Sequence, residues 1–321
     1  MLAGGESGML RRYQLCDGRL AESQEEKSPV LVYISPDDNE RRYLVNELKL
    51  DEHTLNSALD PDELSRLEFE PEHVAIILKR PKYYSAADNF LFKVASTGVY
   101  LFKDRLIIIL SEDVPLFDGK YFLRIQSLPD LMLKVVYRSI FHFLEHLKVI
   151  NMISEQLEQK INASMENRYL LNMFTLEKSL VYYLNAIHSN GVLVEKLKNN
   201  TGKIGFTPEQ LEFIDDVLIE NNQCYRQAEI YSNILASLMD ARASIVSNNL
   251  NLLMKRLTVL SVVFMPLNIL AGVGGMSEFS MMTNGIDWRI SYTLFMVAMV
   301  GIGYLTYVIL KHTGLENTSQ E

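Results

Sequence analysis

The stretch LTVLSVVFMPLNILAGVGGM, residues 257 to 276, contains no charged side chain. An α-helix rises about 1.5 Å per residue, so about 20 apolar residues cross the ~30 Å hydrocarbon core of a bilayer. A second apolar run, ISYTLFMVAMVGIGYLTYVIL, occupies residues 290 to 310. The two runs predict transmembrane helices at 256–276 and 290–310, joined by an outer loop at 277–289.

The charges that flank the two runs predict their orientation. Lys255-Arg256 precedes the first run and Lys311-His312 follows the second, whereas the loop at 277–289 holds two carboxylates and one arginine. Basic residues concentrate on the cytoplasmic side of membrane proteins. Both chain ends, including the tail at 311–321, are therefore predicted to be cytoplasmic, and the lipid bilayer is a predicted partner.

The net charge and the two cysteines exclude some classes of function. The 321 residues carry a net charge of -9, which argues against nucleic acid as a partner because phosphates require a basic patch. An acidic surface suits metal cations instead. Cys16 and Cys224 are isolated in the sequence, so they predict neither a disulfide framework nor a zinc site.

The first 130 residues alternate strand-like and helix-like patterns. Short β-rich runs occur at Val30 to Ile34, Val74 to Leu78 and Leu106 to Leu110, each followed by a turn signal. Between the first two runs, leucines recur at helical spacing from Glu40 to Leu67. This alternation predicts a cytoplasmic α/β domain over residues 1–130.

Residues 131–255 are predicted to form a helical stalk. A first helix has one apolar stripe, and a second spans about 167 to 197. The stripe consists of Ile140, Leu144, Leu147, Ile150, Ile153, Leu157 and Ile161.

A third helix is predicted to be far longer. Thr207-Pro208-Glu209-Gln210 has the pattern of a capping box, and no glycine follows until Gly272. One helix of about 65 residues, or about 95 Å, therefore enters the membrane. Its apolar residues need partners, so self-association around a common axis is expected.

One face of this long helix mixes polar and flexible apolar side chains within the membrane run. Such a stripe lines a water-filled pore or bonds to a neighbouring helix, and both alternatives remain open at this point. The residues of the stripe are Asn251, Met254, Leu257 or Thr258, Ser261, Met265, Asn268 and Gly272.

Segments of this region resemble the inner-helix signature of the CorA family of divalent-cation transporters. They are SNNLNLLMKRLT at 247–258, FMPLN at 264–268, Ala271-Gly272 and Gly275-Met276-Ser277. The resemblance implies a homopentameric funnel in a bacterial inner membrane, in which an α/β domain and stalk helices lead to an inner pore helix and an outer second helix. It also implies transport of hydrated Mg2+ or a related ion down its electrochemical gradient, without a catalytic cofactor.

The same resemblance implies functional residues outside the stripe. Gly275, Met276 and Ser277 correspond to the outer selectivity motif. Asp240 corresponds to a stalk aspartate that helps to bind a regulatory divalent ion between subunits, with Asp88 as a possible partner from the α/β domain. From the sequence pattern by itself, Asp240 is a solvated helix carboxylate.

The chain departs from the family pattern at the outer motif. Ser277 stands where the family has asparagine, and Gly274 stands where an aromatic residue usually precedes the glycine. The outer loop also lacks the usual acidic run, and the tail lacks the usual lysine cluster. The departures leave the predicted architecture unchanged, and Ser277 predicts relaxed ion selectivity.

A competing motif lies in the first stalk helix. His142, Glu145 and His146 fit the H-x-x-E-H pattern, which places two imidazoles on one helical face beside a carboxylate. A metallohydrolase needs a further ligand and a substrate cleft, and neither is evident in the sequence. The pattern is more typical of solvated or interhelical histidines, and an adventitious or regulatory metal site is a further interpretation. The alternative function is a membrane-anchored metalloenzyme, whereas the transporter prediction involves no enzyme.

Overall fold

A computed structural model describes residues 8–82, 84, 90–163 and 167–312. The chain divides into two compact units, Met1–Met239 and Asp240–Glu321. The first unit contains the sheet and the helices that pack against it. The second contains the apolar helical hairpin.

The first unit is organised around a seven-stranded sheet with the order β2-β1-β3-β7-β6-β5-β4. β3 and β7 are parallel, and the other neighbours are antiparallel. Every residue of β3 and of β7 is buried, as expected for continuous apolar strands covered on both faces. The strands are β1 (Met9–Cys16), β2 (Arg19–Glu22), β3 (Val30–Ile34), β4 (Arg66–Phe69), β5 (His73–Pro81), β6 (Val94–Phe102) and β7 (Leu106–Leu110).

The three predicted strands are confirmed as β3, β5 and β7.

The leucine-rich region from Glu40 to Leu67 does not form one continuous helix. It forms α1 (Asp38–Asn46), α2 (Glu52–Leu59) and then β4. Asp37 caps α1 with a complete capping box, and Asp51 accepts a hydrogen bond from the backbone N–H of Thr54 at the start of α2. Two N-caps within one leucine-rich region therefore give two helices, which cover one face of the sheet.

The opposite face of the sheet packs against α3 (Leu128–Ala163) and α4 (Asn167–Asn199). The predicted stripe of α3 is confirmed, since six of its members are buried and Ile153 is partly buried against them. Residue 130 therefore marks a change from strands to helices within one hydrophobic core and not a boundary between compact units.

The long helix, α6 (Pro208–Gly274), has 67 residues, which agrees with the predicted length of about 65. It follows a single helical turn, α5 (Thr201–Ile204). Thr207 N donates to Gln210 Oε1 at 3.0 Å, and Gln210 N donates to Thr207 Oγ1 at 3.3 Å. The capping box is therefore confirmed, and it fixes where the helix begins.

Two further helices complete the second unit, α7 (Ser277–Met282) and α8 (Trp288–His312). Both α6 and the segment Trp288–Leu310 are long and apolar enough to cross a membrane, and their most apolar windows are not buried within the chain. This agrees with the two predicted transmembrane runs. Most of the predicted tail lies outside the described residues.

Asn190 of α4 acts as a substitute strand partner at one edge of β5. β4 begins at Arg66, opposite Ile77, so it does not reach Lys79. Lys79 N donates to Asn190 Oδ1 at 2.9 Å, and Asn190 Nδ2 donates to Lys79 O at 2.8 Å. Ser65 Oγ donates to the same Oδ1 at 2.7 Å. One buried amide thereby satisfies a strand edge that would otherwise lack hydrogen bonds.

We expect Asn190→Ala to lower the free energy of unfolding by about 3 kcal/mol, because it leaves a buried backbone N–H and C=O without partners. Asn200→Ala is the matched control, since Asn200 donates one exposed hydrogen bond to Lys196 O. Denaturant unfolding of both variants measures the difference. Equal losses would show that the Asn190 amide does not support the strand edge.

Candidate ion pathway and metal sites

One side of the membrane portion of α6 packs against α8. A methyl group placed at Gly303 would contact Leu267 Cδ1 at 3.5 Å, and one placed at Gly274 would lie 2.6 Å from the Phe295 ring. Val263, Leu267, Leu270 and Gly274 are all partly buried. At about 100° per residue these four positions share one face of the helix.

The predicted polar stripe lies on the other side of α6. Its centre is about 160° around the helix axis from the face that contacts α8, at ~100° per residue. Its members are exposed within the single chain, with Leu257 and Met265 each at 63%. α8 therefore leaves this stripe uncovered.

The hydroxyl groups near this stripe are oriented as acceptors. Ser261 Oγ donates to Leu257 O at 2.9 Å, and Thr258 Oγ1 donates to Met254 O at 2.8 Å. Each hydroxyl proton is thus committed to the helix backbone, whereas the oxygen lone pairs remain available. Together with the side-chain amides of Asn251 and Asn268, these hydroxyl groups give the stripe several hydrogen-bond acceptors.

The predicted outer motif lies where α6 ends. Gly275 N donates to Ala271 O and Met276 N donates to Val273 O, each at 3.1 Å, so the backbone leaves the helix here. Ser277 begins α7, and its Oγ donates to Glu278 Oε2 at 3.2 Å. A hydroxyl and a carboxylate are thereby placed side by side at the exposed end of the hairpin.

The contact between Gly274 and Phe295 gives a physical reason for one departure from the family pattern. The Phe295 ring occupies the space into which any side chain at position 274 would project. An aromatic residue at 274 would therefore collide with α8. The sequence pattern gave no sign of this contact, because it joins residues on two different helices.

Asp240 is an exposed carboxylate of α6. Asp88, its predicted partner, lies outside the described residues. Within the described part of the chain, no group of three or more His, Cys, Asp or Glu side chains could hold a metal ion. The regulatory site at Asp240 therefore stays a prediction.

The H-x-x-E-H residues of α3 are engaged in other contacts. The rings of His142 and His146 lie 4.5 Å apart, and His146 Nδ1 is 2.7 Å from the hydroxyl oxygen of Tyr183. Glu145 accepts a hydrogen bond from Arg138 at 2.8 Å. The carboxylate and one imidazole thus have protein partners, and this is not the geometry of a three-ligand metal centre.

Comparison with known proteins identifies the family. The family of CorA-like Mg2+ transporter proteins matches residues 31–312. The chain belongs to this family.

Relatives of known function support this assignment over most of their length. A cobalt/magnesium transport protein CorA from Methanocaldococcus jannaschii is 24% identical over 293 residues, which cover 87% of this chain and 88% of the relative. A protein of the same name from Thermotoga maritima is 23% identical over 267 residues, covering 80% of this chain and 74% of the relative.

Solved structures share the complete fold. The complete CorA magnesium transporter from Methanocaldococcus jannaschii has a TM-score of 0.77 at 20% identity, over 98% of this chain and 100% of that one. The full-length CmaX protein has a TM-score of 0.72 at 13% identity, over 97% and 99% of the two chains. The predicted fold class, an α/β domain with long helices and a C-terminal apolar hairpin, is therefore confirmed.

Family membership decides between the two functions that the sequence left open. CorA proteins are divalent-cation transporters of membranes, so this chain is a transporter and not an enzyme. The metalloenzyme interpretation of His142, Glu145 and His146 is accordingly wrong. In this chain the three residues belong to the packing of α3, where His146 contacts Tyr183 and Glu145 pairs with Arg138.

The two histidines predict a pH dependence of stability. Burial lowers the pKa of His142 to about 3, assisted by nearby His146, Arg138 and Arg80. Burial also lowers the pKa of His146 to about 4, although Glu145 opposes the shift. Both folded-state values lie below the ~6.5 of an unfolded chain, so the full stability is present above about pH 6.5.

Below that pH the unfolded chain takes up protons that the folded protein does not. We expect stability to fall by up to ~1.4 kcal/mol per pH unit for each histidine as the pH drops from about 6.5 to about 4. Thermal unfolding at several pH values measures this slope. The double variant His142→Gln/His146→Gln should show a flatter profile, and an unchanged profile would assign the effect to other groups.

Proposed function

We propose that this chain assembles as a homopentamer that conducts hydrated divalent cations, principally Mg2+, across the cell membrane. The observation that carries the proposal is the division of α6 into two faces, one packed against α8 and one uncovered and rich in acceptors. Since α8 occupies the outer side of α6, the uncovered stripe is available to line a central pathway. Mg2+ and Co2+ are the candidate ions, because the named relatives are cobalt/magnesium transport proteins.

Self-association follows from what one chain leaves exposed. A single hairpin cannot enclose water, and α6 exposes large apolar side chains along much of its length. Examples are Ile219 at 64%, Ile230 at 54% and Leu253 at 54% exposure. Identical neighbours around a common axis would cover these surfaces and surround the polar stripe.

The stripe supplies two kinds of function along the pathway. The side-chain oxygens of Asn251 and Asn268 accept hydrogen bonds from the water molecules that surround the ion. Met254, Leu257 and Met265 form apolar rings that close the pathway by excluding water. Because Mg2+ gives up its water reluctantly, contacts of this kind select for the hydrated ion.

The proposal also covers the entrance of the pathway and the orientation of the chain in the membrane. Ser277 and Glu278 form the entrance at the exposed end of the hairpin. Both chain termini lie in the cytoplasm, as the basic residues that flank the two membrane helices indicate. The negative membrane potential then favours cation entry.

Reconstitution of the purified protein into liposomes tests the proposal. We expect uptake of Mg2+ and Co2+ to exceed that of empty liposomes, and the detergent-solubilised protein to have the mass of five protomers. Zn2+, Na+ and K+ in parallel assays establish the selectivity. No uptake of any divalent ion, or a mass of one or two protomers, would contradict the proposal.

Regulation is proposed to involve Asp240. Five copies of this carboxylate near a subunit interface repel one another until a divalent cation neutralises them. We expect Asp240→Asn to reduce the closing effect of internal Mg2+ on flux by about fivefold or more. Asp216→Asn, the same change at another exposed position of α6, is the matched control. An unchanged Mg2+ dependence in Asp240→Asn would leave Asp240 as a solvated carboxylate.

A further inference from the structure

A small cavity lies between the sheet and α3. Its volume is about 40 Å3, enough for a water molecule or a small ion. It is lined by Arg80, Val114, Pro115, Leu116, Arg138, Ser139 and His142. Two arginines therefore line one small space that has an apolar wall.

Arg80 is the most deeply buried of the cationic groups at this cavity, with a side chain only 3% exposed. Its Nε donates to Thr97 Oγ1 at 3.2 Å, and its Nη1 donates to Glu112 Oε1 at 2.9 Å. Its Nη2 is buried and has no hydrogen-bond acceptor among the described residues. A buried charged donor without an acceptor costs folding free energy. A bound ligand that accepts a hydrogen bond from Nη2 would remove this cost.

The charges around the cavity do not balance. Glu112 pairs with two cations. Its Oε1 contacts Arg80, and its Oε2 lies 3.8 Å from Lys82 Nζ. Arg138 is paired with Glu145 at 2.8 Å. Among the residues that the structure describes, Arg80, half-exposed Lys82 and Arg138 therefore share two carboxylates, which leaves one positive charge in excess.

We propose that this cavity binds a small monovalent inorganic anion, of which chloride is the simplest example. The anion would accept hydrogen bonds from Arg80 Nη2 and from Arg138, and it would neutralise the excess charge. The apolar wall formed by Val114, Pro115 and Leu116 favours a weakly hydrated monovalent ion over a strongly hydrated dianion. The bound anion would join β5 to α3, since Arg80 and Arg138 come from these two elements.

A water molecule is the competing occupant. Water satisfies the donors of Arg80 Nη2 but leaves the excess positive charge in place. His142 does not add to that charge at neutral pH, because burial and its cationic neighbours lower its pKa to about 3. If an anion occupies the cavity, the stability of the protein depends on which anion is dissolved. If water occupies it, the stability does not depend on the anion.

The experiment compares thermal unfolding of the full-length protein in chloride and in methanesulfonate, a larger anion, at the same ionic strength of about 150 mM. We expect chloride to raise the unfolding midpoint by about 3 °C, with saturation in the millimolar range. Arg138→Gln should abolish the rise. Arg105→Gln, which removes a cation paired with Asp104 at the surface, is the matched control and should retain it.

Crystals grown or soaked in bromide locate the ion directly. We expect one anomalous peak within hydrogen-bond distance of Arg80 Nη2. The proposal is overturned if no such peak appears and the midpoint is the same in both anions, which would indicate water only. It is also overturned if Arg138→Gln shows the same rise as the wild-type protein, because the effect would then arise elsewhere.

Discussion

Replacing Asn268 by leucine is expected to reduce Mg2+ flux about tenfold or more while the oligomer stays intact. Leucine has the same branched shape as asparagine but no acceptor for the water shell of the ion, and ~1.4 kcal/mol added to the barrier lowers a rate tenfold. Asn251→Leu should have an effect in the same direction. Flux into liposomes and the mass of the detergent-solubilised protein are measured for the same preparations.

Asn249→Leu is the matched control for Asn251→Leu. The chemical change is identical, and the two positions lie about 200° apart around α6, so Asn249 is on the side away from the polar stripe. It should leave flux within about twofold of the wild-type value. If the Asn251 and Asn268 variants lost flux and oligomer to the same extent, these amides would be helix-to-helix contacts and not part of an ion pathway.

The second large effect is a change in ion selectivity when Ser277, at the outer entrance, is replaced. Serine offers a shorter side chain than the asparagine found at this position in the family, so five copies of Ser277 leave a wider opening with weaker contacts to the water shell of an ion. We expect Ser277→Asn to raise the permeability ratio of Mg2+ to K+ by about tenfold. The ratio is measured from fluxes of the two ions in liposomes of the same composition.

Ser277→Thr is the control, because it keeps the hydroxyl group and should leave the ratio nearly unchanged. A wild-type protein that already excludes K+ strongly would contradict the prediction of relaxed selectivity. An unchanged ratio in Ser277→Asn would place selectivity deeper in the pathway, at Asn251 and Asn268.

The features predicted correctly from the sequence are those that depend on short-range chemistry. Residues 257 to 274 form the membrane-length end of α6 because charge is absent over the required length. Thr207 and Gln210 fix the start of α6 because a capping box acts over one helical turn. β3 and β7 were evident because strands buried on both faces are continuously apolar. The polar stripe was also evident, since helical periodicity places its residues on one face.

Strand β6 (Val94–Phe102) was missed, because Ser96, Thr97 and Gly98 interrupt its apolar pattern. Its burial comes from pairing with β5 and β7 and from the close approach of α2, since a methyl group at Gly98 would lie 2.6 Å from the side chain of Ala58. The residue pattern of a single segment cannot predict which other segments pack against it. The division of one leucine-rich region into α1 and α2 was missed because helical spacing of leucines continues across the break, whereas the N-cap at Asp51 ends it.

The sequence by itself therefore determined that this chain has an α/β domain, a very long helix and an apolar hairpin, because hydrophobic length, periodicity and capping are local properties. Only the tertiary structure decided which face of α6 meets α8, through the contacts of Leu267 with Gly303 and of Gly274 with Phe295. It also decided that Asn190 completes the edge of β5 from a position 111 residues away. Such contacts depend on how separate elements pack, and packing brings together residues whose relation no spacing along the chain can reveal.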